Sequence, residues 1–360
     1  MSTKFRYIAV LVFAILCIST CRDLGEGLPQ IPCDPSNVIP CDGPQGSWEL
    51  LGLGEERVTA IAVDQCDPRT VYAGSMMDFS AGVVGKLFKS TDCGKTWQLL
   101  LTGGSYGQIV IDPRNSSIVY TAPHALIRSI DAGRTWTELK SGMNIDSETR
   151  IGPIAMDPQN SAVLYAGTGG FFGGTLYKST DFGDHWAKIL PDSIGGGIAS
   201  LAVDDQNANI MYAGIMQSGR MLKTNNGGTT WVCTNLPQMG GLVHDILISP
   251  LAPNEVLAGV SFAGVWKSSD AGQAWASDNT GIPDSSNVTK IAFSIFDDAF
   301  YVVVSRNDEG GVYMRRRNDA SWRKIGIEGL NQSYYYNDLV VDTNGRALYF
   351  GLKGVYRMKF

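Results

Sequence analysis

The amino-acid sequence predicts an all-β fold, a seven-bladed β-propeller, on three observations. The first is an eight-residue phrase that returns along the chain: STDCGKTW at 90–97, SIDAGRTW at 129–136, STDFGDHW at 179–186, TNNGGTTW at 224–231 and SSDAGQAW at 268–275. The second is a set of short alternating apolar segments between these phrases. The third is the spacing, because a four-stranded unit that returns every ~40–50 residues is typical of a propeller blade.

Each repeat follows the same order of strands. An alternating first strand, such as TAIAVD at 59–64, precedes a turn and a second strand, such as TVYAG at 70–74. The third strand ends in an apolar or aromatic pair followed by a cation, as in KLFKS at 86–90, and the fourth strand begins at the tryptophan of the phrase. Short runs with period two between Gly, Pro and Asn residues indicate strands rather than helices.

The two ends of residues 47–360 are expected to complete each other. Seven first strands are present, but the last repeat has no fourth strand before Phe360, and SWELL at 47–51 resembles a fourth strand without its own first three. Pairing the N-terminal strand 47–52 with the C-terminal strand 353–358 would close the ring and remove two exposed edges. A degenerate sixth copy of the phrase, RRRNDASW at 315–322, keeps its tryptophan but has lost the Asp and Gly positions.

The residue types of the phrase, which we call a box, are those of a tight turn. Asp and Asn side chains accept hydrogen bonds from nearby backbone N–H groups, and glycine adopts positive φ at no steric cost. Asn226 favours a structural interpretation, because an amide can hold a turn but cannot act as an acid. We therefore expect a structural role for the Asp or Asn of each box: Asp92, Asp131, Asp181, Asn226 and Asp270.

The repeated box resembles the Asp-box (BNR) repeat family, and the resemblance covers about residues 47–360. Similar propellers occur in sialidases, xyloglucan-degrading glycoside hydrolases, sortilin-type receptors and photosystem II assembly factors. The resemblance implies the fold, and it implies that the boxes lie away from the active face. It does not imply one activity, because a fold of this kind hosts unrelated functions.

The N-terminus predicts export. Residues 1–20 carry Lys4 and Arg6 ahead of an apolar run that ends at Ile18, which is the pattern of a signal peptide. The segment ISTC at 18–21 resembles a bacterial lipobox with Cys21 as the lipidated residue, although threonine before the cysteine departs from the usual pattern. The alternatives are a lipoprotein of the bacterial cell envelope and a secreted protein. Residues 21–46, rich in Pro and Gly, are expected to form a tether.

Composition excludes some functions and leaves the disulfide pairing open. The formal net charge of −6 does not favour nucleic-acid binding, which depends on clustered Lys and Arg. Three scattered histidines and the absence of a CxxC spacing predict no metal site, and no cofactor is expected. Among seven cysteines, the candidate disulfides are Cys33–Cys41 and Cys66–Cys93, which would leave Cys233 odd.

Candidate ligand residues lie on the face opposite the boxes, in the connections that follow second strands or precede first strands. They are acids, arginines and aromatic residues that could hold a sugar or a peptide: Glu55, Arg57, Glu148, Arg150, Phe171, Phe172, Asp245, Tyr334, Tyr335 and Tyr336. No motif assigns two carboxylates as acid and base, so the sequence favours an exported, non-catalytic propeller that binds a protein or carbohydrate ligand. The alternative is a glycoside hydrolase, either sialidase-like or xyloglucanase-like, which would need two carboxyl groups at a defined separation.

Overall fold

The computed structural model describes residues 41–78, 82–145, 149–169, 173–190, 196–216, 219–237, 241–306, 309–326, 338–342 and 346–360. In these ranges the chain forms β-strands, and none of it is a helix with the length and apolar character to cross a membrane. The prediction of an all-β fold is confirmed. The expected signal peptide, Cys21 and the tether up to residue 40 lie outside the described residues.

The strands follow the predicted order within each repeat. The first two repeats contain β1 (Trp48–Val63), β2 (Val71–Ser75), β3 (Lys86–Ser90), β4 (Gln98–Thr102), β5 (Ile109–Ile111), β6 (Val119–Thr121), β7 (Ile127–Ser129) and β8 (Thr137–Glu138). The third and fourth contain β9 (Arg150–Asp157), β10 (Asn160–Gly169), β11 (Leu176–Ser179), β12 (Ala187–Lys188), β13 (Ile198–Val203), β14 (Met211–Ile215), β15 (Arg220–Thr224) and β16 (Val232–Asn235). The remaining strands are β17 (Val243–Ile248), β18 (Val256–Val260), β19 (Gly264–Ser268), β20 (Ala276–Ser277), β21 (Asn287–Ser294), β22 (Ala299–Ser305), β23 (Gly311–Arg316), β24 (Arg323–Lys324), β25 (Leu339–Asp342) and β26 (Ala347–Lys359).

These strands form five four-stranded sheets and one six-stranded sheet, all antiparallel. In each four-stranded sheet, the strands of one repeat pair in sequence order. The six-stranded sheet has the order β25–β26–β1–β2–β3–β4 and so joins residues from the two ends of the described chain. In this sheet Trp48 pairs with Met358, and Leu50 pairs with Tyr356. The second half of β1 pairs with β2, with Ile61 opposite Ala73.

The hydrophobic core lies between consecutive sheets. One buried cluster combines Leu257 and Val265 of the fifth repeat with Phe293, Phe300 and Trp322 of the sixth. Burial of both faces explains why second strands such as VLAGV at 256–260 are apolar throughout rather than alternating. Each box tryptophan therefore belongs to an interface between repeats as well as to its own turn.

Polar contacts also fasten one repeat to the next, and they explain the cation at the end of the third strand. The carbonyl oxygen of Ala132, in the second box, accepts hydrogen bonds from Lys89 Nζ at 2.9 Å and from Tyr72 Oη at 3.0 Å, both in the first repeat. Ala132 has a positive φ of 59°. The same type of contact recurs between later repeats: Tyr120 and Arg128 with the Phe182 carbonyl, Lys178 with the Gly227 carbonyl, and Tyr212 and Lys223 with the Ala271 carbonyl.

The junction between the fifth and sixth repeats uses ion pairs instead. Arg317 occupies the position of the box aspartate in the degenerate copy and pairs with Glu255 of the fifth repeat. Lys267, the third-strand cation of the fifth repeat, also pairs with Glu255. A second arginine of the sixth repeat, Arg315, lies 2.7 Å from the carboxylate of Asp278. Where the box sequence has degenerated, ion pairs between side chains therefore join the two repeats in place of bonds to a box carbonyl.

The disulfide pairs expected from the sequence are wrong. Cys41 is bonded to Cys93, with the two Cα atoms 5.6 Å apart, and Cys66 is also disulfide-bonded. Both Cys33–Cys41 and Cys66–Cys93 are thereby excluded. The reason is that the chain after Cys41 runs beside the last strand, where Arg357 binds the Asp42 carbonyl and also donates to the Cys93 carbonyl at 3.4 Å. Cys233 is exposed and is not in a disulfide.

Candidate functional site

The boxes and the turns between first and second strands lie together, and we call this the box side. The backbone N–H of Cys93 in the first box donates to the carbonyl of Arg69 in such a turn at 2.9 Å. The other boxes make the same contact through Ala132, Phe182, Gly227 and Ala271. The remaining connections, which follow second strands or precede first strands, form the loop side.

Each box is closed by hydrogen bonds of its own. In the first box, Asp92 Oδ1 accepts from Ser90 Oγ and from the Thr96 N–H, both at 2.8 Å, and Asp92 Oδ2 accepts from Thr96 Oγ1 at 2.6 Å. Ser90 Oγ in turn accepts from the Gly94 N–H at 2.8 Å. Asp131, Asp181 and Asp270 accept equivalent bonds from the serine and the backbone of their own boxes.

These bonds favour the ionised form of the box aspartates. The Thr96 hydroxyl and then the Thr96 N–H lower the pKa of Asp92. The fourth box keeps the geometry without a charge, because Asn226 Oδ1 accepts from the Thr230 N–H at 2.9 Å while its amide group donates to Thr230 Oγ1 at 2.8 Å. The bonds to these side chains come from within the turn, which is the arrangement of a turn clamp rather than of a general acid awaiting a substrate.

The four described ligand candidates lie in strands β1, β9 and β17 rather than in the connections where they were expected, and the structure does not gather them into one cluster. Glu55 is exposed in β1, and Arg57 in the same strand is half-buried. Arg150 is exposed at the start of β9, paired with Gly169. Asp245 lies in β17 and has its partners in the next repeat. Six candidates lie outside the described residues: Glu148, Phe171, Phe172 and the tyrosines 334–336.

Asp245 is part of an ionic group that links first strands. Its carboxylate accepts from the Ile291 N–H at 2.8 Å and lies 3.9 Å from Lys290 Nζ. Lys290 Nζ is also 3.4 Å from Asp338, and Asp338 accepts from the Ile61 N–H at 2.8 Å. The two carboxylates raise the pKa of Lys290 despite its burial. Burial raises the pKa of Asp245, and the Asp338 carboxylate adds to this effect.

At the position that corresponds to Asp245, other first strands or their entry also carry a polar residue. Its side chain binds the backbone of a neighbouring first strand. Gln108 binds the backbone of Ile154, accepting from its N–H at 2.6 Å and donating to its carbonyl at 2.8 Å. Ser200 Oγ donates to the Val243 carbonyl at 2.9 Å. Register shifts precede Ser200, Asp245 and Lys290 in their strands, and bulges of this kind re-aim the side chains that follow. These side chains form hydrogen bonds with backbone N–H and carbonyl groups that are not paired with an adjacent strand.

An acidic residue beside one of the candidates is also bound by side chains of the protein itself. Glu56, next to Glu55, accepts from Ser75 Oγ at 3.1 Å and forms an ion pair with Lys86. Within the described residues, no group of three His, Cys, Asp or Glu side chains is placed to hold a metal ion.

One loop-side pocket was not predicted from the sequence. It has a volume of about 420 Å³ and is lined by Phe262, Ala263, Gly264, Asn279, Pro283, Asp284, Ser285 and Ser286. Phe262 is 64% exposed and has a positive φ of 57°, which bulky residues rarely adopt. The sequence signal was an aromatic residue in the turn between β18 and β19, a place where polar or small residues are usual.

A comparison with protein families agrees with the repeat geometry. The Sortilin-Vps10 family model (sortilin, neurotensin receptor 3) matches residues 85–216, a range that contains the first three boxes. Five boxes with one hydrogen-bonding scheme, in antiparallel four-stranded sheets, accompany this match. The family match and these boxes together support a place for the chain in the Asp-box propeller superfamily. Its curated relatives and similar solved structures come from more than one branch of that superfamily.

The relatives at sequence level are xyloglucanases. One from Acetivibrio thermocellus is 24% identical over 300 residues, which is 70% of this chain and 34% of the relative. One from Hypocrea jecorina is 28% identical over 157 residues, which is 38% of this chain and 19% of the relative. This Asp-box chain thus spans about a fifth to a third of the length of these two relatives.

Similar solved structures include a protein of about the same extent. YCF48 from Cyanidioschyzon merolae has a TM-score of 0.63 at 14% identity, with coverage of 87% of this chain and 99% of that one. YCF48 bound to D1 peptide has a TM-score of 0.61 at 13% identity and covers 89% and 99%. An ancestral GH74 enzyme has a TM-score of 0.56 at 23% identity and covers 69% and 34%. At these identities the similarity establishes the propeller-like fold.

Proposed function

We propose that the six sheets make seven blades and that the seventh closes the ring. The six-stranded sheet then consists of two blades, the first repeat and a last blade made of β25, the two halves of β26, and Trp48–Gly52 of β1. Two observations support this proposal: the pairing of Trp48 with Met358, and the contacts between successive first strands, which run from β1 through β5, β9, β13, β17 and β21 to β25 and back to β1. The ionic group around Lys290 would then face a central channel.

Within this fold, we infer that the protein binds a protein or carbohydrate ligand on its loop side without catalysing a reaction. The observation that carries this proposal is the contrast between the two sides. On the box side, turn hydrogen bonds occupy the aspartates, and a pocket of about 230 Å³ lies among the turns between first and second strands; the loop side presents a larger pocket, of about 420 Å³, lined by the exposed Phe262. The described acids Glu56 and Asp245 are held in ion pairs. Aromatic side chains beside a few polar groups are typical of ligand sites.

A glycoside hydrolase is the second candidate. The similarity to a xyloglucanase over 70% of the chain favours it. So does the raised pKa of Asp245, because a general acid needs a carboxyl group whose pKa lies above its usual range, and Asp338 supplies a second carboxylate nearby. Turnover of xyloglucan, another β-glucan or a sialyl conjugate, abolished by Asp245→Asn in a folded protein, would establish this candidate and overturn the non-catalytic one.

Export is part of the proposal. We infer that residues 1–20 are a signal peptide and that Cys21 is either lipidated at a bacterial cell envelope or lies in a secreted chain. The tether expected over residues 21–46 is proposed to end before Cys41, because the Cys41–Cys93 disulfide and the bond between Gly46 and Lys359 fasten residues 41–46 to the fold. The Cys41–Cys93 disulfide supports export, because disulfides persist in oxidising compartments. Membrane fractionation of the wild type and a Cys21→Ala variant separates the two alternatives.

Blocking one side at a time tests the binding proposal. In a Cys233→Ser background, Arg150→Cys places a thiol on the loop side and Lys95→Cys places one on the box side, and both native residues are exposed. A bulky polyethylene glycol maleimide is attached to each variant, and binding to glycan and peptide arrays is measured. The loop-side adduct should lose the ligands that the wild type binds, and the box-side adduct should keep them. The opposite pattern contradicts the proposal.

A further inference from the structure

The loop-side pocket lined by Phe262 is held by hydrogen bonds that occupy several of its donors. The N–H of Phe262 donates to Oδ1 of the buried Asn287 at 2.9 Å. The Asn279 amide group donates to the Ala263 carbonyl at 2.9 Å and to Ser277 Oγ at 3.0 Å. Ser286 Oγ donates to the Pro283 carbonyl at 2.6 Å. The wall therefore directs these donors into the protein rather than toward a ligand.

In contrast to these donors, the carboxylate acceptor that lines the pocket is not occupied within the described residues. Asp284 is exposed, and within the described residues its carboxylate has neither a hydrogen-bond nor an ion-pair partner. Ser285 beside it is exposed and has a positive φ of 55°. An ionised carboxylate only accepts hydrogen bonds. The pocket thus offers an unpaired negative charge next to an exposed aromatic ring.

The lining of the pocket supplies no opposing positive charge. None of the eight lining residues is Lys, Arg or His. His244, whose Nε2 lies 2.7 Å from Oγ of Ser261, the residue before Phe262, is half-buried, and partial loss of solvent around its ring lowers its pKa to about 4. It is therefore neutral at pH 7. The protein as a whole has a formal net charge of −6, which adds attraction for a cation.

From this geometry we propose that the pocket is a docking site for a cationic side chain, an arginine or lysine of a partner protein. Its charged group would pair with the Asp284 carboxylate and lie against the Phe262 ring, whose face attracts cations. The proposal rests on the proposed loop-side function and specifies its ligand as a basic segment of a protein. A neutral sugar would use the ring but would gain no charge–charge attraction.

The turn that carries Phe262 is built to keep the ring in place. Positive φ at Phe262 and at Ser285 places residues in a region that is unfavourable for side chains other than glycine, and such strain persists only where the surroundings enforce it. Here Asn287 and Asn279 hold the turn from the connection that enters β21. At the neighbouring Gly264, a Cβ atom would lie 2.2 Å from Asn279 Oδ1, so the two connections are tightly fitted.

A pair of matched peptides tests the proposal on the full chain. A fluorescein-labelled peptide in which arginine alternates with glycine is compared with one that carries citrulline, a neutral isostere, in place of arginine. Fluorescence anisotropy should detect binding of the arginine peptide, with weaker binding when the ionic strength rises from about 0.05 to about 0.5 M. Asp284→Asn and Phe262→Leu should each weaken binding about 2- to 5-fold, and together about 10-fold. Leu251→Ala, an exposed change on the box side, is the control and should leave affinity unchanged.

The outcomes separate this inference from the broader function. Equal affinity for the arginine and citrulline peptides, or no effect of Asp284→Asn in a folded variant, overturns the cation site. Binding of neutral oligosaccharides that depends on Phe262 but not on Asp284 also overturns it and assigns the pocket to a sugar. In both cases the general binding function stands if the loop-side adduct blocks binding of a ligand. That function is contradicted if only the box-side adduct blocks binding.

Discussion

Lys89 Nζ lies 2.9 Å from the carbonyl oxygen of Ala132, 43 residues further along the chain. The carbonyl belongs to the non-glycine residue of the second box that has a positive φ. The left-handed residue of a box therefore has two uses: it makes the turn, and its carbonyl receives the cation of the preceding repeat. Lysine at this place is a structural residue, not merely a polar strand end.

Replacing Lys89 by methionine should destabilise the protein by about 1–3 kcal/mol, because a charged hydrogen bond is lost and the Ala132 carbonyl keeps only the Tyr72 hydroxyl. Urea denaturation gives the change in the free energy of unfolding. Lys95→Met, at an exposed lysine in the first box, is the matched control and should have little effect. Equal stability of the two variants would contradict the role of Lys89.

The boxes should tolerate an amide better than a methyl group. Asp131→Asn should cost well under 1 kcal/mol, since Asn226 already forms the same turn, whereas Asp131→Ala loses its bonds to Ser129 and Thr135 and should cost about 1–2 kcal/mol. Thermal unfolding provides the comparison. Loss of ligand binding in a variant with an unchanged melting temperature would instead indicate a functional carboxylate.

Stability should fall in acid through the boxes. The pKa of Asp92 is lower in the folded protein than the value of about 3.9 in an unfolded chain, mainly because of the Thr96 hydroxyl bond. Its contribution is therefore fully present above about pH 4 and is lost as the pH falls through the folded pKa. Asp92→Asn should lose less stability than the wild type between about pH 5 and 2, as measured by unfolding at each pH. A parallel acid loss in both proteins would show that the decline arises elsewhere.

The Cys41–Cys93 disulfide should stabilise the fold substantially. It closes a loop with a sequence separation of 52, for which the chain-entropy estimate is about 4 kcal/mol. Cys41→Ser should lower the free energy of unfolding by several kcal/mol, within a range of ~2–5. Cys233→Ser removes a cysteine outside any disulfide and should leave stability nearly unchanged. Mass spectrometry that finds Cys41 and Cys93 as thiols in oxidised protein would refute the pairing.

Arg357 tests the proposed closure of the ring. Its side chain is almost fully buried, and its Nε donates to Glu49 at 2.8 Å across the pairing of β26 with β1. Arg357→Met should cost about 2–4 kcal/mol, because Glu49 loses its partner and the Cys93 carbonyl loses a donor. Lys353→Met, at an exposed residue of the same strand, is the control. A variant as stable as this control would argue against a closed seam.

Features that depend on residues close together in the sequence were predicted, whereas contacts between residues far apart in the chain were not. Box turns and strand order follow from residue types within a few positions of each other, so they could be read directly. The Cys41–Cys93 bond depends on where the last strand lies, and no local pattern reveals that. Asp245 was a candidate ligand residue because it precedes an apolar strand, but the sequence could not show that Lys290 lies beside its carboxylate.

Phe262 was missed for a similar reason. Its exposure depends on the connection that carries Asn279 and Asn287, in a different part of the chain. In the sequence it stands beside Ala263 between two apolar strands, so the aromatic residue in this turn was not recognised as part of a ligand site.

The unusual junction between the fifth and sixth repeats also limits how the chain can be rearranged. At most junctions a lysine or arginine of one repeat binds a box carbonyl of the next repeat. Because these junctions use the same contact, repeats joined in this way could be duplicated or exchanged. The sixth repeat has no such carbonyl in its degenerate box, and its Arg317 fits the carboxylate of Glu255. Protein engineering that shortens or lengthens this chain by whole repeats must therefore keep the fifth and sixth together as one module.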